Sequence, residues 1–381
     1  MRGHLRRLLL ALAVLSALVF LAYQLRHRFD LADFTWSKFK FAVGQANPWL
    51  ILLAVVAIYG CYAVRSLRWQ HFSRHFGHSS FLGIYNATLM GFAAIFLLGR
   101  PGEPVRPLLL ARKSRLPVSS MFGIWVLERI FDFAAAVGMA ILCLLVFSAK
   151  LSEAGVNEGW VRRAQAGGLL LLGALLTIVL LMVYFRMHGA GVLDRRLENW
   201  YTAGGWKGWT ATGVTGFSQG LQAIRTISDL ALASIYTVAH WGLVALAYLW
   251  VSQAFEGAFP HAAMNLTGAM LLLAVTLVGS ALQLPGVGGG AQVASFIALT
   301  TIFRLEQEHA VALAVMLWLV AFASSSLVGV PLLIHEGLSV GELRKLARAE
   351  AEAEKFGKHL SLTGAGWRVP VERNEQGGTP P

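Results

Sequence analysis

Charge is scarce in this chain. Of its 381 residues only 14% are Asp, Glu, Lys or Arg, against roughly 25% in an average soluble domain. That shortage excludes a soluble enzyme, a disordered protein and a fibrous one. Cysteine is scarcer still. Cys61 and Cys143 are the two in the sequence; both lie inside apolar stretches, so there is no disulfide framework and no zinc-type spacing. Catalytic signatures are missing as well. No His-Glu-x-x-His pair occurs, Glu308-His309 lacks a second ligand at the right spacing, and no Gly-x-Ser-x-Gly elbow is present. No Asp pair sits on two spans in an aspartyl-protease pattern. The expectation is therefore a non-enzyme with no catalytic residue, no metal and no cofactor.

What is abundant is apolar sequence: 56% hydrophobic residues and a mean hydropathy of +0.60. The net charge is +12. In a soluble domain such an excess points to nucleic acid. Beside apolar spans it sets orientation and meets anionic lipid, so lipid is expected as partner and nucleic acid is not.

A membrane-crossing helix needs about 20 mostly apolar residues. Candidate segments are 8–25, 48–64, 81–98, 118–147, 166–185, 229–251, 269–303 (interrupted) and 310–335. The first follows Met-Arg-Gly-His-Leu-Arg-Arg. It reads as a retained signal-anchor, since no small-x-small cleavage site closes the run near Tyr23.

Two segments are broken. Segment 81–98 runs into Gly99-Arg100-Pro101-Gly102-Glu103-Pro104, and 269–284 runs into Leu284-Pro285-Gly286-Val287-Gly288-Gly289-Gly290. Proline and clustered glycine end helices, and broken backbone at membrane depth needs protein or water to satisfy it. If all eight segments cross once, Lys and Arg divide 16 inside and 15 outside. If the two broken segments are re-entrant hairpins, the division is 23 inside and 8 outside, with Arg129 in a span. The positive-inside rule favours the hairpins.

The chain then reads as span, span, hairpin, span, twice over, the second unit inverted relative to the first. This is an all-α polytopic bundle of about six crossings plus two re-entrant helical hairpins arranged as an inverted repeat. In such repeats broken helices meet near the midplane and form the substrate site; eight unrelated helices are the competing reading. The expected division is 1–338 as the membrane domain, with repeats of about 5–150 and 160–338, and 339–381 as a charged cytoplasmic helix and disordered tail. Residues 213–228 carry Val214, Phe217, Leu221, Ile224 and Ile227 at helical spacing, which suits an amphipathic interfacial helix.

Three constellations could carry chemistry. Arg100, Glu103 and Arg106 flank the break at Gly102; two guanidiniums beside freed backbone N–H groups suit a phosphate. The competing reading, a solvated basic loop, fits Arg112, Lys113 and Arg115 better. Glu128, Arg129 and Asp132 lie within a span. Glu128 and Asp132, four apart, share a face, and ionisable residues at depth are functional candidates by default, with a purely structural ion pair as the alternative. The third, Pro285, Gly286, Gly288, Gly289 and Gln292, lacks the strand and the Gly-Lys-Ser/Thr of a nucleotide loop. A broken, closely packed helix lining a pathway is expected instead. Of the histidines, His71, His75 and His78 have helical spacing but no carboxylate or cysteine nearby in sequence, so a metal site is not expected. His240 reads as a hydrogen-bonding partner between helices. Arg65 and Arg68 are expected to snorkel from the end of their span.

Taken in order, Leu98-Gly99-Arg100-Pro101-Gly102-Glu103-Pro104-Val105-Arg106, Glu128-Arg129-Ile130-Phe131-Asp132 and Leu284-Pro285-Gly286-Val287-Gly288-Gly289 resemble the lysylphosphatidylglycerol synthase transmembrane-region family, a flippase-like group, across roughly residues 5–340. The resemblance implies an integral protein of the bacterial cytoplasmic membrane that moves, or helps move, a lipid between leaflets; the hairpin topology puts both termini in the cytoplasm. Relatives are associated with aminoacylated phosphatidylglycerol, polyprenyl phosphate, glycolipid or hopanoid pathways. It further implies that Arg100, Glu103, Arg106, Glu128, Arg129 and Asp132 form the polar core of the pathway, and that Pro285, Gly286, Gly288 and Gly289 form the second break. The chain departs from the pattern at Gln292, where the family usually carries Glu. No soluble aminoacyl-transferase domain accompanies the membrane part, so synthesis of lysyl-lipid is not expected. The alternatives are an intramembrane lipid-linked glycosyl or phosphoryl transferase, and an accessory subunit of an envelope-biosynthesis pathway. A second copy of the chain or an envelope-biosynthesis protein is a further candidate partner.

The hairpin topology makes a direct prediction. A cysteine introduced at Leu116 will react with an impermeant maleimide from the cytoplasmic side. Labelling from the outside alone rejects the hairpins.

Overall fold

A computed structural model of the chain describes residues 35–114, 118–153, 226–258, 264–280, 283–284 and 288–337, with scattered positions between 162 and 224. The first span, the interfacial helix over most of 213–228, the turn Pro285–Gly286 and the tail from 339 lie outside them.

The described residues are helical almost throughout. They form α1 (Trp36–Gln45), α2 (Pro48–Ser73), α3 (Phe81–Leu98), α4 (Val105–Ser114), α5 (Val118–Glu153), α6 (Ile227–Ala254), α7 (Leu266–Gly279) and α8 (Gly290–Thr301). Last comes α9 (Gln307–His335), continuous through a π-turn at Leu319–Ala323. Among the described residues four helices, α2, α3, α6 and α9, are long and apolar enough to cross a membrane by length and composition.

Local chemistry sets the helix starts. Asn47 caps α2 by accepting from the Trp49 N–H, with Pro48 at the first helical position. Ser80 caps α3 and Asn265 caps α7 in the same way. Thr226 and Asp229 cap α6 reciprocally, Thr226 Oγ1 accepting from the Asp229 N–H at 3.1 Å and Asp229 Oδ2 from the Thr226 N–H at 2.9 Å.

Both breaks fold back on themselves. After α3 the chain turns through Gly99, whose φ of +71° favours glycine, then through one 3₁₀ turn, Arg100–Gly102, into α4. After α7 it forms a two-residue antiparallel ladder, β1 (Gln283–Leu284) on β2 (Gly288–Gly289), before α8. That ladder supplies backbone partners which irregular chain in lipid would lack. The limbs are short. At 1.5 Å per residue the 14 residues of α7 and the 12 of α8 span about 21 and 18 Å, less than a hydrocarbon core of about 30 Å. The 18 residues of α3 reach about 27 Å.

The packing has a two-fold logic. Exchange α2 with α6, α3 with α7, α4 with α8 and α5 with α9, and each contact among these eight helices maps onto another or onto itself; the packing of α1 on α9 has no counterpart among the described residues. The paired helices α2 and α6 pack on each other; α3 packs on α9 as α7 packs on α5; α4 packs on α5 as α8 packs on α9. Each hairpin is thus clasped by the last helix of the other unit.

Glycine permits the tightest approaches. A Cβ on Gly102 would strike the Ala94 carbonyl of α3, and one on Gly279 would strike the Gly290 carbonyl and Ala294 of α8. Alanine at either position is expected to cost about 1–3 kcal/mol through overpacking. In contrast, Gly138 of α5 has nothing within 4 Å of its would-be Cβ, so alanine there is neutral or favourable by up to about 1 kcal/mol. Thermal unfolding of the purified protein in detergent checks this: a lower Tm for Gly102→Ala and Gly279→Ala, an equal or higher one for Gly138→Ala.

Candidate functional site

The polar centre of the molecule is built on two carboxylates of α5. Glu128 and Asp132 face the same way, as their spacing requires, and both are buried, Glu128 completely. They look onto α2, whose Arg65 and Arg68, one turn apart, reach both. Arg65 donates from Nε to Glu128 Oε1 at 2.5 Å and from Nη2 to Asp132 Oδ2 at 2.6 Å. Arg68 donates from Nη2 to Glu128 Oε1 at 3.1 Å and to Asp132 Oδ1 at 2.8 Å, and from Nη1 to Thr237 Oγ1 of α6 at 2.7 Å.

Arg106 of α4 closes the cluster with a hydrogen bond from Nη2 to Glu128 Oε2. Its guanidinium stacks on the Trp69 ring, 4.7 Å from the centroid, as Arg65 does on Phe92 at 5.3 Å. Gly91 of α3 makes this possible: a Cβ there would stand 2.7 Å from Arg106 Cβ. Arg129 lies beside Glu128 and Asp132, at 3.6 and 3.3 Å.

Four guanidiniums therefore surround two carboxylates. The excess is two positive charges, in a setting where Arg68 and Glu128 are fully buried. The Nε atoms of Arg68 and Arg129 are buried with no hydrogen-bond partner. Uncompensated buried charge is costly; an anion brought to this place removes the cost.

There is room for one. A cavity of about 260 Å³ lies between the two units. Arg65, Arg100, Arg106 and Arg129 form its cationic side. Trp241 and Tyr248 of α6, Thr276 of α7, Gln292 and Ser295 of α8, and Trp318 of α9 are among the residues facing them. Where the two hairpins meet, Arg100 donates to the Ser280 carbonyl at the end of α7 at 2.6 Å and is bonded to Glu103 on its other side.

Several expectations change here. Arg65 and Arg68 do not snorkel: 6% and 0% exposed, they turn inward because α2 runs on to Ser73 and carboxylates are waiting on α5. Sequence reading missed them as site residues. The available signal was two arginines one turn apart near the end of one span, in a chain whose span 118–147 holds an unexplained acidic pair. The link between the first two constellations runs from Arg106 to Glu128, and Arg100 reaches the other hairpin. Gln292 does line the cavity, and its Oε1 accepts the Gly289 N–H at 2.7 Å, capping α8. Gly102 packs against α3; Gly288 and Gly289 form the ladder strand; Pro285 and Gly286 lie outside the described residues. His240 does bridge helices, its Nδ1 lying 3.1 Å from Cys61 Sγ. His71 and His75 face Asp229, at 3.4 and 3.9 Å, alongside Arg74.

The family model described as Lysylphosphatidylglycerol synthase TM region matches residues 8–329. No curated protein and no solved structure matches the chain.

Removing one partner of a buried ion cluster strands the others. Glu128→Ala leaves Arg65, Arg68 and Arg106 with Asp132 as the remaining carboxylate of the cluster. The expected loss of stability is about 3–5 kcal/mol. Arg129→Ala removes one of the two excess cations, from a side chain 38% exposed, and should cost far less. Thermal unfolding in detergent checks the order; equal effects contradict this account of the cluster.

Proposed function

We propose that this chain, which belongs to the Lysylphosphatidylglycerol synthase TM region family, moves a polar or anionic lipid between the leaflets of the bacterial cytoplasmic membrane, with both termini in the cytoplasm. The observation that carries the reading is the cationic cavity between the two broken helices. Its excess of positive charge suits a phosphate, which Arg forks and stacked guanidiniums hold without water.

Size supports a headgroup rather than a whole lipid. At about 260 Å³ the cavity falls near the low end of the roughly 300–1,000 Å³ typical of small-molecule sites. In this reading the headgroup enters and the acyl chains stay in the bilayer. The barrier to leaflet exchange is the cost of taking a charged headgroup through hydrocarbon, and Arg100, Arg106 and Arg129 replace its water. Glu128 and Asp132 hold the arginines in place, and Glu103 steadies Arg100.

The hairpins are read as re-entrant, entering from opposite faces and meeting where Arg100 contacts Ser280. Relative motion of the two units would break that contact and open the cavity to one side or the other. No covalent step is assigned to the lipid, so the chain is read as a transporter and not an enzyme.

Leaflet exchange in proteoliposomes tests the proposal. With the full chain reconstituted, fluorescent phosphatidylglycerol should exchange faster than in empty vesicles and faster than phosphatidylcholine. Arg100→Ala and Arg129→Ala, both at partly exposed side chains, should lower the rate at least about tenfold while Tm stays near wild type. Equal rates with and without folded protein defeat the proposal.

A further inference from the structure

We infer that the headgroup this cavity accepts is phosphate-linked, uncharged beyond the phosphate and rich in hydroxyls, a polyol or a sugar, and that aminoacylated lipids are rejected. The inference rests on the translocator reading and specifies its substrate.

The cavity has two unlike walls. On the first, Arg65, Arg100, Arg106 and Arg129 gather positive charge, and among the described lining residues Glu103 is the carboxylate, already bonded to Arg100. Glu128 and Asp132 stand behind the arginines, Glu128 held by Arg65, Arg68 and Arg106, and Asp132 by Arg65, Arg68 and Arg129. A lysyl or alanyl ammonium entering with the phosphate would meet four cations and one lining carboxylate, Glu103, whose charge Arg100 already offsets. Like-charge contact of this kind is how sites refuse a near-relative of the ligand.

The second wall is neutral and rich in groups that exchange hydrogen bonds with hydroxyls. Tyr248, Thr276, Gln292 and Ser295 lie there, Thr276 Oγ1 and Ser295 Oγ 2.7 Å apart. Trp241 and Trp318 line the same space, and each carries a buried indole N–H with no partner. Their rings also offer flat apolar faces to the C–H faces of a polyol or sugar.

Gln292 gives a clean handle. Its Oε1 caps α8 through the Gly289 N–H, a bond that a glutamate oxygen makes equally well. Gln292→Glu therefore keeps that capping bond and adds one negative charge to the neutral wall.

The experiment reads binding without transport. The full chain in detergent is titrated with phosphatidylglycerol, phosphatidylinositol, lysyl-phosphatidylglycerol and phosphatidylcholine, with tryptophan emission as the signal and a Trp241→Phe/Trp318→Phe variant as control. Phosphatidylinositol and phosphatidylglycerol should act at a concentration about tenfold or more below that of lysyl-phosphatidylglycerol, and the control should lose the response. Gln292→Glu should narrow or reverse that ratio with Tm unchanged. Lysyl-phosphatidylglycerol binding as tightly as its parent, all four lipids binding alike, or none binding each overturns the headgroup assignment. Selective binding with no leaflet exchange in proteoliposomes overturns the translocator reading and leaves the headgroup assignment standing.

Discussion

Everything at the centre of this molecule depends on two carboxylates one turn apart on a single helix. Glu128 and Asp132 would be intolerable in an apolar interior alone; four guanidiniums from three helices make them tenable. Because Arg65 and Arg68 come from α2, Arg106 from α4 and Arg129 from α5, the cluster also fixes how those helices sit. Arg68 extends the tie to α6 of the second unit through Thr237. The constraint is one of charge, and its incompleteness matters: the arginines outnumber the carboxylates, and the surplus faces a cavity.

The two-fold exchange of contacts explains why the cavity lies where it does. Each hairpin packs against the closing helix of the opposite unit. Arg100, beside the first break, reaches Ser280 at the end of α7. The charge is not shared equally, however. The lining arginines all come from the first unit, while the second brings neutral groups such as Trp241, Tyr248, Thr276, Gln292, Ser295 and Trp318, so a two-fold frame holds an asymmetric site. The π-turn in α9 belongs to this asymmetry. Ala321 and Phe322 of that turn line the cavity, and its local disturbance leaves the Ala321 and Ser324 carbonyls to accept from Tyr62 and Tyr59 of α2 at 3.3 and 2.8 Å.

By itself the sequence determined the class of the molecule. Long apolar runs with few charges have one stable setting, and Pro-Gly breaks stop helices wherever they occur, so both helix–break–helix units and the caps at Asn47, Ser80, Thr226 and Asn265 follow from local chemistry. The i, i+4 spacing of Glu128 and Asp132 likewise put them on one face. Tertiary structure alone decided which cations those carboxylates take. Arg65 and Arg68 look in sequence like any basic pair near the end of a span, and whether such side chains reach out to the interface or turn inward depends on what stands on the neighbouring helix. The same holds for Gly91, whose missing Cβ matters because Arg106 passes there, and for Trp241 and Trp318, which share a cavity with four arginines. Spacing along a chain fixes which residues share a face; what that face meets is settled by packing between elements far apart in sequence.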